Sequence, residues 1–212
     1  MAVVFAGRVA RWLIPFARRA ELTPNQVTSA SLAVTLAAAV ITAFGHQTAW
    51  VVAGLLVQVG FVLDCLDGQL ARATGRVTEA GRYFDSVTDP VKVFALISAM
   101  TVALLRHREG TVVCALGAAA FFAFVLYEQH MQLVRRLPDR AQKEDETSRW
   151  TSGIRFAGQR IDLVFAIGEV LMTITVGLFF GRLRAALLVL ALVLPIQFAV
   201  HARRFLRRRD PA

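Results

Sequence analysis

The chain has 212 residues, 56% of them hydrophobic, and a mean hydropathy of +0.55, yet it carries a net charge of +9. A water-soluble globule of this size could not bury that much apolar surface, so the composition indicates one all-α membrane domain with several spans. The basic residues are 22 Arg against only Lys92 and Lys143, with no basic-aromatic module, which reads as topology and headgroup attraction and excludes a nucleic-acid partner.

Residues 1–22 mix Val3, Phe5, Trp12, Leu13 and Phe16 with Arg8, Arg11, Arg18 and Arg19. This pattern predicts an amphipathic helix lying in the membrane interface, with a solvated arm as the alternative. Arg8, Arg11 and Pro15 interrupt the apolar run, which argues against a cleavable signal peptide. Thr23-Pro24 reads as an N-cap followed by proline in the first turn, opening a first span over about Val27–Phe44. A short turn at Gly45-His46-Gln47-Thr48 leads to a second span, about Ala49–Ala73, and a third runs from about Gly81 to Leu105. Pro90 removes one helical hydrogen bond there and is expected to kink the third span.

Arg106-His107-Arg108-Glu109-Gly110 turns the chain into a fourth span, about Thr111–Val134. Residues 135–160 form the longest loop, with an acidic knot at Glu144-Asp145-Glu146. A fifth span over about Ile161–Phe180 and a sixth over about Ala185–Phe205 complete six transmembrane helices within residues 23–205, and residues 206–212 form a basic tail. Six spans put both termini on one side. That side also holds the second-to-third connection and the long loop, and it carries 19 of the 24 basic residues against four on the other. The positive-inside rule therefore places both termini at the cytoplasmic face of a multi-pass cell-membrane protein. Cys65 and Cys114 are too isolated for a disulfide framework or a zinc site and read as small buried hydrophobes.

The unusual stretch is Leu63–Asp89, where Asp64, Asp67, Asp85 and Asp89 sit in an otherwise apolar chain. Residues three or four apart share a helix face, so each pair points one way. Folding the second and third spans side by side would gather all four carboxylates at one cytoplasmic site. Such a cluster in low dielectric calls for cations, and hard oxygen donors select Mg²⁺ or Mn²⁺, as one ion or a pair. Gly68, Ala71 and Gly81 share the acidic faces and leave room for a bulky ligand, and Arg72 is a cation suited to phosphate or to a lipid headgroup. The bland alternative is four solvated loop carboxylates.

Asp64-x-x-Asp67-Gly68-x-x-Ala71-Arg72, eight residues, then Gly81-x-x-x-Asp85-x-x-x-Asp89 resembles the motif of the CDP-alcohol phosphotransferases, and it covers 26 residues of the chain. The run Leu22-Thr23-Pro24-Asn25-x-x-Thr28 and the order of spans are also similar. The resemblance implies transfer of a substituted phosphate from a CDP-alcohol, CDP-diacylglycerol by expectation, to a small alcohol with release of CMP, in phospholipid synthesis. It implies that Asp64, Asp67 and Asp85 hold two metal ions and that Asp89 completes the cluster as general base. Asp64, Asp67, Gly68, Ala71, Arg72, Gly81 and Asp85 would receive the CDP group. It also implies a homodimer.

Arg135, Arg136, Arg155 and Arg160 could bind a phosphorylated acceptor or simply mark the cytoplasmic side. Asp162 and Glu169, seven apart, could line the acceptor side or pair with neighbouring helices. Members using inositol phosphate carry an Arg-rich run at the end of the fourth span. Tyr127-Glu128-Gln129-His130-Met131-Gln132 stands there instead, which argues against that acceptor and leaves a polyol such as glycerol phosphate, or a less usual alcohol. Two rival readings are a membrane prenyltransferase, which also holds Mg²⁺ on a pyrophosphate, and an ion transporter with intramembrane acids.

Overall fold

A computed structural model describes residues 2–135, 154–156, 159–161 and 167–209. Its helices are α1 (Ala2–Arg19), α2 (Pro24–Phe44), α3 (Gln47–Ala73), α4 (Glu79–Arg106), α5 (Val112–Arg135), α6 (Ile167–Phe179) and α7 (Leu183–Arg209). Between α5 and α6, β1 (Ile154–Phe156) pairs antiparallel with β2 (Gln159–Ile161), placing Arg155 opposite Arg160. These two three-residue strands lie in the connection expected to be a loop, except that Ile161, expected to open the fifth span, ends β2; the bundle itself is helical. The expected acidic knot and Asp162 lie outside the described residues.

Among the described residues five helices, α2, α3, α4, α5 and α7, are long and apolar enough to cross a membrane. The sixth, α6, has 13 described residues and is a shorter apolar helix than the span expected there. The protein is a multi-pass membrane protein. At 1.5 Å per residue, the 27 residues of α3 extend roughly 40 Å, so one end must reach beyond a 30 Å hydrocarbon core. The chain continues as helix through Pro90 without a break.

Small and polar residues explain how the bundle holds together, because lipid tails remove the usual hydrophobic drive between helices. On α3, Gly60 sits against α2, where a Cβ would meet Thr35 Oγ1 at 2.5 Å, and Ser31 Oγ donates to the Gly60 carbonyl at 2.9 Å. Gly54 meets the Phe179 ring of α6 in the same way, and Gln58 Nε2 donates to Thr175 Oγ1 at 2.7 Å. Around these contacts Val57, Leu96, Met100, Phe124, Ile174, Leu178, Leu187, Leu190 and Leu194 form the buried core. Large apolar residues such as Val52, Phe94, Phe122, Leu192 and Ile196 face outward, as a bilayer solvent permits.

Cys65 is half-buried against the core, but Cys114 is exposed on the outside of α5, contrary to expectation. An apolar surroundings outside the bundle removes the pressure that would turn such a residue inward.

The expected side-by-side pairing of α3 and α4 is not what forms. Helix α2 packs against both, while α3 and α4 touch each other little. The space between their motif ends is left as a cleft. Helix α1 packs on the motif end of α3 through Ala10, Ala17, Leu66 and Leu70, and Gln69 Nε2 donates to the Gly7 carbonyl at 2.9 Å. Its outer face carries Trp12 and Phe16 beside the exposed arginines, an amphipathic surface.

Candidate metal and phosphate site

The site begins with how α2 starts. Thr23 is its N-cap, with a reciprocal capping box: Thr23 N–H donates to Gln26 Oε1 at 2.9 Å and Gln26 N–H to Thr23 Oγ1 at 3.3 Å. Pro24 fills the first helical position, where its missing N–H costs nothing. This start fixes Thr28 one turn on, and its hydroxyl donates to Asp67 Oδ2 at 2.5 Å. Asp67 Oδ1 accepts from the Gly68 N–H. Asp67 is only 6% exposed, so these two donors orient a carboxylate that water hardly reaches.

Helix α3 ends just after the motif. Thr74 N–H donates to the Leu70 carbonyl at 2.9 Å, Gly75 takes the left-handed φ of 67°, and Arg76 N–H returns to the Ala71 carbonyl at 2.9 Å. Thr78 then caps α4, accepting from Gly81 N–H at 3.0 Å. Four residues later Asp85 meets the acids of α3: one carboxylate oxygen each from Asp64, Asp67 and Asp85 lies within 4.8 Å of the others. Three hard oxygen donors converging from two helices fit a divalent cation such as Mg²⁺ or Mn²⁺.

Beside them is a cavity of about 250 Å³, whose walls include Asn25, Thr28, Asp67, Asp85 and three arginines, Arg72, Arg76 and Arg82. Gly68, Ala71 and Gly81 line it too, as the small-residue pattern predicts. Added side chains there would intrude. A Cβ on Gly81 would come within 3.1 Å of Thr78 Oγ1 and 3.4 Å of Asn25 Oδ1, and one on Gly68 within 3.5 Å of Arg72 Nη1.

The fourth acid is held differently. Asp89 Oδ1 accepts from Lys92 Nζ at 3.2 Å, and the same ammonium donates to Asp64 Oδ1. Lys92 is 2% exposed. The four expected carboxylates are thus sorted into a converging trio and a fourth tied to the trio through a buried cation. The sequence shows Lys92 as one of only two lysines, three residues after Asp89, but does not show its partner on α3. Its i, i+3 spacing from Asp89 was the available signal. Arg76, Arg82 and Asn25 were also missed as cavity walls, although Asn25 stands in the Thr23–Thr28 run.

Of the residues expected at the acceptor side, Arg135 ends α5, and Arg155 and Arg160 are backbone partners in the hairpin. Glu169 lines a separate groove of about 450 Å³ between α6 and α7 with Met172, Val176, Phe180 and Val189, away from the acids' cavity.

The motif geometry is matched at the level of the whole sequence, which fits the CDP-alcohol phosphatidyltransferase pattern over residues 21–204. The chain belongs to the CDP-alcohol phosphatidyltransferase family. Among its relatives is the archaetidylinositol phosphate synthase of Pyrococcus horikoshii, 33% identical over 97 residues, which are 46% of this chain and 50% of that protein. The bifunctional IPC transferase and DIPP synthase of Aquifex aeolicus is 36% identical over 84 residues, 40% of this chain and 19% of that one. The chain therefore spans half or less of the curated relatives it matches. In fold it resembles the crystal structure of the Mycobacterium tuberculosis phosphatidylinositol phosphate synthase with CDP-DAG bound. The TM-score is 0.63 at 18% identity, covering 94% of this chain and 92% of that one.

Proposed function

We propose that this family member transfers a phosphatidyl-type group from a CDP-alcohol, CDP-diacylglycerol in the first instance, to the hydroxyl of a small alcohol, releasing CMP in phospholipid synthesis. One observation carries this reading: two of the three converging carboxylates, Asp67 and Asp85, line a cavity whose walls also carry the guanidinium groups of Arg72, Arg76 and Arg82 and the small residues Gly68, Ala71 and Gly81. That is the chemistry a nucleoside pyrophosphate needs, with anions for metal, cations for phosphate and bare backbone for close approach.

Asp64, Asp67 and Asp85 would hold the metal, Mg²⁺ or Mn²⁺, with two ions as the family expectation. When bound, the metal neutralises the pyrophosphate and polarises its phosphoryl oxygens. The chain's own residues do the rest. Thr28 and the Gly68 N–H aim Asp67 into the site. Arg72, on the cavity wall beside Gly68, pairs with phosphate, and Gly68, Ala71 and Gly81 admit the CDP group. The acceptor oxygen attacks the lipid-bearing phosphorus, the bond from that phosphorus to CMP breaks, and the acceptor's proton passes to Asp89.

The acceptor we favour is a phosphorylated polyol. Arg155 and Arg160, opposed across the hairpin, and Arg135 at the end of α5 are the basic residues for it. The relatives' names include inositol phosphate, the acceptor that the 127–132 stretch argues against, so both inositol phosphate and glycerol phosphate belong in the test. The charge bias supports a cytoplasmic site and cytoplasmic termini, with residues 1–22 interfacial, 23–205 one membrane domain and 206–212 a basic tail. A homodimer is the family expectation. An outward groove of about 610 Å³ between α4 and α5, lined by Phe94, Thr101, Gly117 and Phe121, offers one face for it.

The test is CMP release by purified protein from CDP-diacylglycerol with Mg²⁺ or Mn²⁺, across glycerol phosphate, inositol phosphate and unphosphorylated alcohols, beside Asp89→Asn. Acceptor-dependent release that vanishes in the variant is the expected result. No release with any acceptor from folded, metal-loaded protein would overturn the donor assignment. Failure to bind cytidine nucleotides as well would move the prenyltransferase and transporter readings ahead.

A further inference from the structure

We propose that Lys92 is the positioning residue of this site, a built-in cation that sets Asp89 and competes with divalent metal for Asp64. The inference rests on the reading of Asp89 as proton acceptor. Three observations lead to it. Lys92 Nζ contacts carboxylates from two helices, Asp89 on its own α4 and Asp64 on α3. Those two helices hardly pack against each other, so this ammonium is a tie across the cleft where direct packing is missing. And Lys92 is 2% exposed, so its charge is little screened by water and acts on its neighbours at close range.

The consequences follow from charge and geometry. A cation placed between Asp64 and Asp89 cancels much of the repulsion that four clustered acids would otherwise suffer, so the metal-free site can assemble. It also holds Asp89 at a set point one turn along α4, beside the trio and outside it. The same positive charge lowers the attraction of Asp64 for a divalent ion. Lys92 therefore stabilises the empty site, weakens metal binding and raises turnover. A residue that merely filled the core would not link those three effects.

The decisive experiment titrates Mn²⁺ into the metal-stripped full-length protein in detergent micelles, reading free Mn²⁺ by electron paramagnetic resonance, with CMP-release kinetics in parallel. Lys92→Met keeps the length of the side chain and removes the charge. We expect it to bind Mn²⁺ about tenfold more tightly, because a like charge has left the site. We expect its kcat to fall about 100-fold with KM for CDP-diacylglycerol within about threefold, because Asp89 is displaced while the CDP cavity is not. Lys92→Arg keeps the charge, so its Mn²⁺ affinity should stay within about twofold of wild type and its kcat should lie between the other two. Should the Met variant fail to fold, Lys92→Gln, uncharged but still a hydrogen-bond donor, must show the same tightening.

Unchanged or weaker Mn²⁺ binding in the folded uncharged variant would overturn the proposal, as would a kcat within about threefold of wild type. Failure of the phosphotransfer reading would look different. The wild-type protein itself would then release no CMP, while the Mn²⁺ titration would still read the charge of Lys92.

Discussion

The two ends of α3 meet the rest of the bundle in opposite ways. At its middle and far end, Gly54, Gln58 and Gly60 are pressed against α2 and α6, where the Gly60 carbonyl accepts from the Ser31 hydroxyl and Gln58 donates to the Thr175 hydroxyl. At its motif end, Gly68 and Ala71 face a cavity, and the nearest helix across it is tied on by one lysine. The same small residue types do two jobs. Where the neighbour is a helix they allow close packing, and where the neighbours are carboxylates and guanidinium groups they leave space. What separates the two roles is what surrounds the glycine: apolar and hydroxyl-bearing helix faces close on it at the packed end, whereas charged side chains line the open space at the motif end.

Variants can break this contrast, beginning at the motif end, where the effects should be largest. Asp67→Asn or Asp85→Asn should cost on the order of 10³-fold in CMP release, because each removes an anionic donor from the converging trio. Stripping metal with a chelator should abolish activity, and adding back Mg²⁺ or Mn²⁺ should restore it in wild type but not in these variants. Next comes Arg72→Lys, expected to raise KM for the CDP donor about tenfold, since an ammonium cannot reproduce the planar fork that meets two phosphate oxygens. Gly81→Ala should cost about tenfold in activity with little change in thermal stability, because its methyl group would press on Asn25 and Thr78 at the cavity wall.

At the packed end the signs reverse. Gln58→Leu should leave activity near wild type and lower stability by about 0.6 kcal/mol, read as a small drop in melting temperature in detergent. Outward changes such as Leu192→Phe should do neither beyond about 0.5 kcal/mol.

Much of this arrangement was legible in the sequence. Hydropathy marks five of the membrane helices to within a few residues, and Thr23-Pro24 announces the start of α2, because caps and apolar runs are local properties of the chain. The motif spacing names the acids and small residues that converge. What could not be read was which helices touch. In water an outward face is polar and periodicity reveals the inward one. Here Cys114, Phe122 and Leu192 face outward in an apolar solvent, so α2 could not be seen to stand between α3 and α4. The role of Lys92 was hidden for a related reason: its i, i+3 partner Asp89 is visible in sequence, but Asp64 lies 28 residues away across the cleft. The hairpin of β1 and β2 carries no alternation long enough to announce a strand.

The central claim is that the acids of α3 and α4 form one metal site beside a cavity lined by arginines and small residues. Crystals of the protein soaked in Mn²⁺ and measured at the manganese absorption edge test it most directly. The account predicts an anomalous peak within coordination distance of the Asp64, Asp67 and Asp85 carboxylates, lost in Asp85→Asn. A strong Mn²⁺ peak elsewhere in the bundle, with none at these three residues, would contradict it.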